Sequence, residues 1–231
     1  MSRLVVYFLL FVSPLLSIAL VLLGMFTLPS NLMGWFLLFM GIMYSVGIFT
    51  TAFIRKKQFW TGVSGNTVIE EERNDRSFWL IALGLIAVFF LSPLDYLYFP
   101  SVFSGLIELE VVGLGLVLSG ISLFVWARMA LGKDYSGHVS IGDEQTLVQS
   151  GPYRYIRHPA YTGYLLMALG ICLGYASLTG LIALIAFLIP VVYYRSRLED
   201  QMLASHFGEQ WQAYARRVPA FIPAFRKGEQ R

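Results

Sequence analysis

"AYTGYLLMALGICLGYASLTGLIALIAFLIPVVYY" (160–194) runs for 35 residues without a charged side chain. As one helix it would reach roughly 52 Å, since each residue rises about 1.5 Å. A hydrocarbon core of about 30 Å takes about 20 helical residues, so the run is too long for one crossing and slightly short for two. "GYAS" (174–177) supplies small and turn-forming residues near its middle. The stretch is therefore expected to be a tight helical hairpin with short or thinly embedded arms.

The rest of the chain reads the same way. Further apolar spans lie near 4–24, 33–54, 77–94 and 106–127. Over 231 residues, 57% are hydrophobic and 13% charged, and the mean hydropathy is +0.65, far outside the range of soluble domains. The expected fold class is all-α, a polytopic membrane bundle of about six transmembrane helices with a C-terminal amphipathic cytosolic helix. Arg3 before the first span resembles the start of a secretion signal, but the apolar core is too long and no small-x-small site precedes "TLPSN" (27–31), so it reads as a mature helix. Cys172 is the single cysteine. It excludes an internal disulfide and a multi-cysteine zinc site, and it reads as a buried packing thiol.

All 17 basic residues fall on one set of alternating loops. Arg3 precedes the first span; Arg55, Lys56, Lys57, Arg73 and Arg76 follow the second; Arg128, Lys133, Arg154 and Arg157 follow the fourth; the others lie from Arg195 onward. This asymmetry predicts six crossings with both termini in the cytosol. A pI near 9.0 then reflects orientation and anionic lipid rather than nucleic acid.

No internal repeat or low-complexity tract appears, so the chain reads as one membrane domain, 1–231. The loop 55–76 mixes both charge signs and reads as a solvated connector. The loop 128–150 has glycines that suggest irregular backbone lining a cavity. After Arg195, the apolar residues Leu198, Met202, Leu203, Phe207, Trp211, Tyr214 and Val218 recur at helical spacing until Pro219. The plainer reading of this stripe is a helix on the membrane surface, anchored by Trp211 and Tyr214. That reading leaves Glu199 and Asp200 facing anionic headgroups, which is unfavourable unless a cation or an arginine holds them.

"GPYRYIRHPAYTG" (151–163) sets a polar knot before the hairpin. His158 precedes Pro159, which disfavours helix at the histidine, and Pro159 suits the first turn of a helix. A helix start offers N–H groups to an anion, and tyrosine faces suit a cation. A zwitterionic small molecule would satisfy both. Arg154 and Arg157 read as headgroup anchors, and Tyr155, Tyr164 and Tyr175 as belt or packing residues. Gly170 and Gly174 read as close helix packing. Glu108 and Glu110 carry no assigned role.

"LVQSGPYRYIRHPAYTG" (147–163), followed by "RSRLEDQMLASHFGEQWQAYARRVP" (195–219), resembles the C-terminal signature of the isoprenylcysteine carboxyl methyltransferase family of integral-membrane enzymes. The resemblance covers about 110–225. It implies a methyltransferase-like core over 105–225, N-terminal helices of unassigned role over 1–104, and S-adenosyl-L-methionine as cofactor. It puts the cofactor against Leu147, Val148, Tyr153, His158, Pro159 and Tyr161. Gln145 stands where relatives of the eukaryotic type carry a histidine, and His138 lies in a stretch that contributes to the pocket. Glu199 matches the first of the family's paired acids, with Asp200 in place of the second. Arg195 matches an arginine associated with the acceptor's carboxylate. One helical turn separates it from Glu199.

The implied reaction moves a methyl group to a lipophilic acceptor from the bilayer, an isoprenylcysteine-type carboxylate first, with neither metal nor nucleic acid involved. A carboxylate acceptor needs no proton removed, leaving positioning and desolvation as the means of catalysis. A phospholipid or other lipid amine would need a base, for which His158 is the candidate. Two rivals remain: an NADPH-dependent sterol-type membrane reductase and a non-catalytic membrane scaffold or ligand sensor. The reductase pattern has asparagine after the proline and an acid after the glycine, where this chain has Ala160 and Tyr164.

Overall fold

The computed structural model describes residues 13–46, 77–131 and 146–223. The expected connector 55–76, most of the loop 128–150, and both His138 and Gln145 lie outside the described residues. Within them the protein is all-helical. Helix α1 spans Ser13–Thr27, α2 Met33–Val46, α3 Ser77–Tyr98, α4 Ile107–Leu131, α5 Pro159–Gly174, α6 Leu178–Phe207 and α7 Glu209–Arg217. Among these, α3, α4 and α6 are long and apolar enough to cross a membrane, while α1, α2 and α5 are shorter.

The hairpin forms where the apolar run breaks. Helix α5 ends at Gly174, and Ser177 caps α6 by accepting a hydrogen bond from the Gly180 N–H. The first arm, 16 residues, is about 24 Å long, while α6, 30 residues, is about 45 Å long. The second arm thus carries on well past the start of the first. A π turn over Leu184–Leu188 interrupts α6 just before Pro190. Proline lacks an N–H and its ring crowds the carbonyl four residues back, so a wider turn at that point relieves both. The continuous helix read through Phe207 to Val218 is corrected by one residue: Gly208 has φ 53, which a glycine adopts without cost, and the chain turns there into α7.

Glycines set how closely α4 and α5 approach. A Cβ on Gly120 would lie 2.6 Å from the Gly163 carbonyl oxygen, and one on Gly170 2.5 Å from that of Gly113. The backbones therefore touch, as the Gly170/Gly174 spacing suggests. Helix α3 packs on the core through Ile81 and Val88, which join Met33, Leu37, Ile171, Leu184, Leu188 and Val192 in one apolar cluster.

The end of the bundle away from the polar knot has its own polar tie. Buried Glu110 in the first turn of α4 accepts from the Leu32 N–H at 2.9 Å, capping the start of α2. Asn31 donates to the Gly174 carbonyl at 3.0 Å, Thr27 bonds the Tyr175 hydroxyl, and Asp95 accepts from Ser177 and from the Thr179 N–H. Cys172 is a buried free thiol.

The glycine contacts make a paired prediction. Gly120→Ala should cost about 1–3 kcal/mol by overpacking. Gly115→Ala, on the same helix with open space where its Cβ would go, should be neutral or stabilising by up to about 1 kcal/mol. Thermal unfolding of both variants in detergent checks the contrast; equal losses would refute the close approach.

Candidate functional site

The polar knot closes on α6 rather than facing outward. Gly151–Arg154 forms a 3-10 turn, the chain straightens through His158, and Pro159 opens α5. Residues after α7 run back alongside this stretch. The Arg157 N–H donates to the Pro219 carbonyl and the His158 N–H to the Ala220 carbonyl, both at 2.9 Å, and the Thr162 hydroxyl donates to the Phe221 carbonyl at 3.1 Å. These two N–H groups before the helix therefore serve the tail, not a bound anion. The Phe221 ring lies 5.6 Å from that of His158.

His158 is held from both sides. Its Nε2 is 2.9 Å from Asp200 Oδ1 and its Nδ1 3.6 Å from Glu199 Oε2. Burial alone would lower the imidazole's pKa, but the hydrogen bonds and negative charges of Asp200 and Glu199 outweigh it and hold the pKa above the ordinary 6.5. Sequence spacing gave no partner to orient this histidine; the fold supplies two.

Asp200 is in turn fixed by Arg157, whose Nη2 lies 3.1 Å from its other oxygen. Arg157 also donates to the Ala215 carbonyl at 3.1 Å and sits 5.7 Å from the Trp211 ring centroid, a cation–π distance. This corrects the expectation of a headgroup anchor: a guanidinium so enclosed is a structural cation. Arg154 is exposed. Trp211 and Tyr214 are buried rather than interfacial anchors, so α7 packs its apolar side on the knot. Burial, with Arg157 lowering and Asp200 raising, pushes the Tyr214 phenol up to about 12. It stays protonated and donates to the Tyr153 carbonyl at 2.7 Å.

The second branch runs through Tyr161. Arg195 Nε donates to the Tyr161 hydroxyl at 2.8 Å, and that hydroxyl donates to Glu199 Oε1. Arg195 Nε also lies 3.8 Å from Glu199 Oε1, one turn along α6. Arg195 is buried, and its Nη1 donates to the Ser77 hydroxyl at 2.9 Å. Of the two acids, Glu199 is the more open, with 28% of its side chain exposed against 15% for Asp200.

The structure thus joins His158, Tyr161, Arg195 and Glu199 in one cluster and adds Asp200, Arg157 and Ser77. Pro159 opens the helix behind it and Tyr153 is buried beneath α7. Leu147 and Val148 are half-buried in the irregular segment leading to the 3-10 turn; as apolar side chains they have no part in the cluster's hydrogen bonds. Among the described residues no group of three His, Cys, Asp or Glu side chains could hold a metal ion.

Residues 109–210, which carry most of the cluster, match the family model for phospholipid methyltransferase. The protein-S-isoprenylcysteine O-methyltransferase B of Arabidopsis thaliana is 30% identical over 141 residues, 58% of this chain and 70% of that protein. The chain belongs to the isoprenylcysteine methyltransferase family. The Schizosaccharomyces pombe protein-S-isoprenylcysteine O-methyltransferase is 28% identical over 204 residues, 82% of this chain and 83% of its own. The cobalt-zinc-cadmium resistance protein CzcN of Cupriavidus metallidurans is 42% identical over 113 residues, 48% of this chain and 49% of that protein. As a family member the chain is a membrane methyltransferase, which removes the reductase and the non-catalytic scaffold. Arg157 and Asp200 fall within the matched residues 109–210; Ser77 lies outside them.

The His158 pairing gives a pH dependence with a fixed sign. A pKa raised on folding stabilises most below the unfolded value of about 6.5, and that stabilisation is lost as pH rises through the folded value. The difference in thermal midpoint between wild type and His158→Gln should be greatest below pH 6.5 and shrink as the pH is raised. A difference that grows with pH would mean that the histidine is buried neutral.

Proposed function

We propose that this protein transfers a methyl group from S-adenosyl-L-methionine to the carboxylate of a lipophilic acceptor of the isoprenylcysteine type, drawn from the bilayer. The observation that supports it most is the double engagement of the His158 ring. Both ring nitrogens face carboxylates, Nε2 towards Asp200 and Nδ1 towards Glu199, which leaves neither free to take a proton from an acceptor, so the site suits a nucleophile that is already ionised.

When bound, the donor supplies an electrophilic methyl on a sulfonium. Held by Glu199, Tyr153, His158 and Tyr161, the donor would give up its methyl to an acceptor carboxylate oxygen in line, the carbon–sulfur electron pair remaining on sulfur, so that a thioether and a methyl ester would result. No proton moves. An anion and a cation are both neutralised, which a dry site favours over water because their charges are poorly solvated there. The chain's own residues bind and orient. Glu199, the more open acid, accepts from the donor's ammonium or ribose hydroxyls. Tyr153, His158, Pro159 and Tyr161 border the donor, together with Leu147 and Val148; His138 and Gln145 belong to this assignment from sequence alone. Arg195 carries the charge that draws the acceptor's carboxylate, with in-line positioning as its catalytic contribution. The alternating basic loops support a cytosolic site with both termini on that side, and the core is assigned to 105–225 of a single domain.

A lipid amine acceptor is the second reading, favoured by the phospholipid methyltransferase model that matches 109–210. It would require a ring nitrogen of His158 to leave its carboxylate partner and serve as the base.

The test is calorimetric binding of S-adenosylhomocysteine, with methyl transfer to an N-acylated S-farnesylcysteine and to phosphatidylethanolamine measured in parallel. Glu199→Gln should weaken donor-product binding about tenfold or more, the scale of a lost charge-assisted hydrogen bond, with little effect on acceptor KM. Arg195→Ala should raise acceptor KM with little effect on product binding. Transfer to the amine alone would select the second reading.

A further inference from the structure

We propose that Ser77, from the N-terminal half of the chain, is a positioning residue that holds Arg195 for the acceptor. This rests on the assignment of Arg195 to the acceptor's carboxylate. It extends the site beyond 109–210, the segment matched by the family model.

The geometry that carries it is a seam between α3 and α6. Along α3, Ser77, Ile81, Gly84 and Val88 share one face at helical spacing, and all are buried. Along α6, Leu184, Leu188, Val192 and Arg195 do the same. The two rows run antiparallel. A Cβ on Gly84 would lie 2.9 Å from the Leu188 Cδ1, and two turns further on each helix Ser77 Oγ accepts from Arg195 Nη1 at 2.9 Å. Ile81, Val88, Leu184, Leu188 and Val192 all belong to the apolar core cluster, so the seam is apolar until its last contact, where a serine meets an arginine.

Both partners are nearly inaccessible, Ser77 at 2% and Arg195 at 3%. A buried guanidinium needs acceptors aimed at it. Tyr161 receives its Nε and Ser77 its Nη1, from two different helices. Two directional contacts on one planar group fix its plane as well as its place, and in-line transfer depends on the acceptor's carboxylate being held in one orientation. Because Ser77 is the first residue of α3, its position follows the packing of that whole helix on α6. The packing of α3 thereby sets the geometry of the acceptor side.

Ser77→Val removes the hydroxyl, and Ser77→Thr, which matches valine in volume, keeps it. In the full-length protein, with an N-acylated S-farnesylcysteine as acceptor, Ser77→Val should raise acceptor KM roughly tenfold, the scale of one lost hydrogen bond to a charged group. Affinity for S-adenosylhomocysteine should stay at the wild-type value, and Ser77→Thr should restore most of the KM. In the Arg195→Ala background, Ser77→Val should add nothing, since the two act as one unit. A wild-type KM for Ser77→Val beside a raised KM for Arg195→Ala would overturn this inference and leave the acceptor assignment standing. Loss of product binding by Ser77→Val would make the serine merely structural, and overturn it too. An unchanged KM for Arg195→Ala would remove the acceptor assignment and this inference with it.

Discussion

The pairing of His158 with Glu199 and Asp200 is the interaction on which the site depends. It joins the start of α5 to the far part of α6, two places separated by a full hairpin. Each member is expensive to bury alone: an imidazolium without counter-charge, or two adjacent carboxylates without a cation. Together, and with Arg157 and Arg195 at either flank, the charges compensate one another inside a largely dry cluster. Removing one partner leaves the others uncompensated, so their contributions to folding stability are not those of independent contacts, while each can still face a different ligand.

The bundle exists to bring those two places level. Glycine contacts let α4 and α5 meet backbone to backbone, the turn after Gly174 reverses the chain, and the apolar seam with α3 fixes the rotation of α6. At the opposite end, Glu110, Asn31, Asp95 and Tyr175 tie four segments together. The tail after α7 adds the last constraint, since its Pro219 and Ala220 carbonyls occupy the two N–H groups at the entrance to α5. Most of these devices act on a backbone, and the side chains of the cluster then have little freedom left to lose.

Much of this was legible in the sequence because the forces involved are local or compositional. Hydropathy located the helices, the length of 160–194 forced a hairpin, and Gly170 and Gly174 pointed to a tight packing face. The acid pair at Glu199 and Asp200 called for a cation, which the fold provides. What could not be read was which way an interfacial side chain turns. Arg157 looked like a headgroup contact and Trp211 like a membrane anchor, because a basic or aromatic residue at that depth has the same sequence signature whether it meets lipid or a neighbouring helix. Their mutual contact is set by the reversal at Gly208, a single positive-φ residue inside an otherwise helical pattern. Glu110 left a fainter signal, an acid opening an apolar helix. Ser77 left none, since its partner lies 118 positions away and only the packing of α3 on α6 brings them together.

The π turn at Leu184–Leu188 makes the phase of α6 a matter of residue count. A wide turn holds one residue more than regular helix needs, so the helix beyond it keeps nearly the phase it would have without that residue. Deleting a single residue from the regular helix between this turn and Arg195 would instead swing the remainder by about 100° and draw it back about 1.5 Å. Arg195, Glu199 and Asp200 would then face a different neighbour altogether. An apolar stretch with no chemistry of its own thus encodes the angular address of the charged residues downstream, and its length is as constrained as their identity.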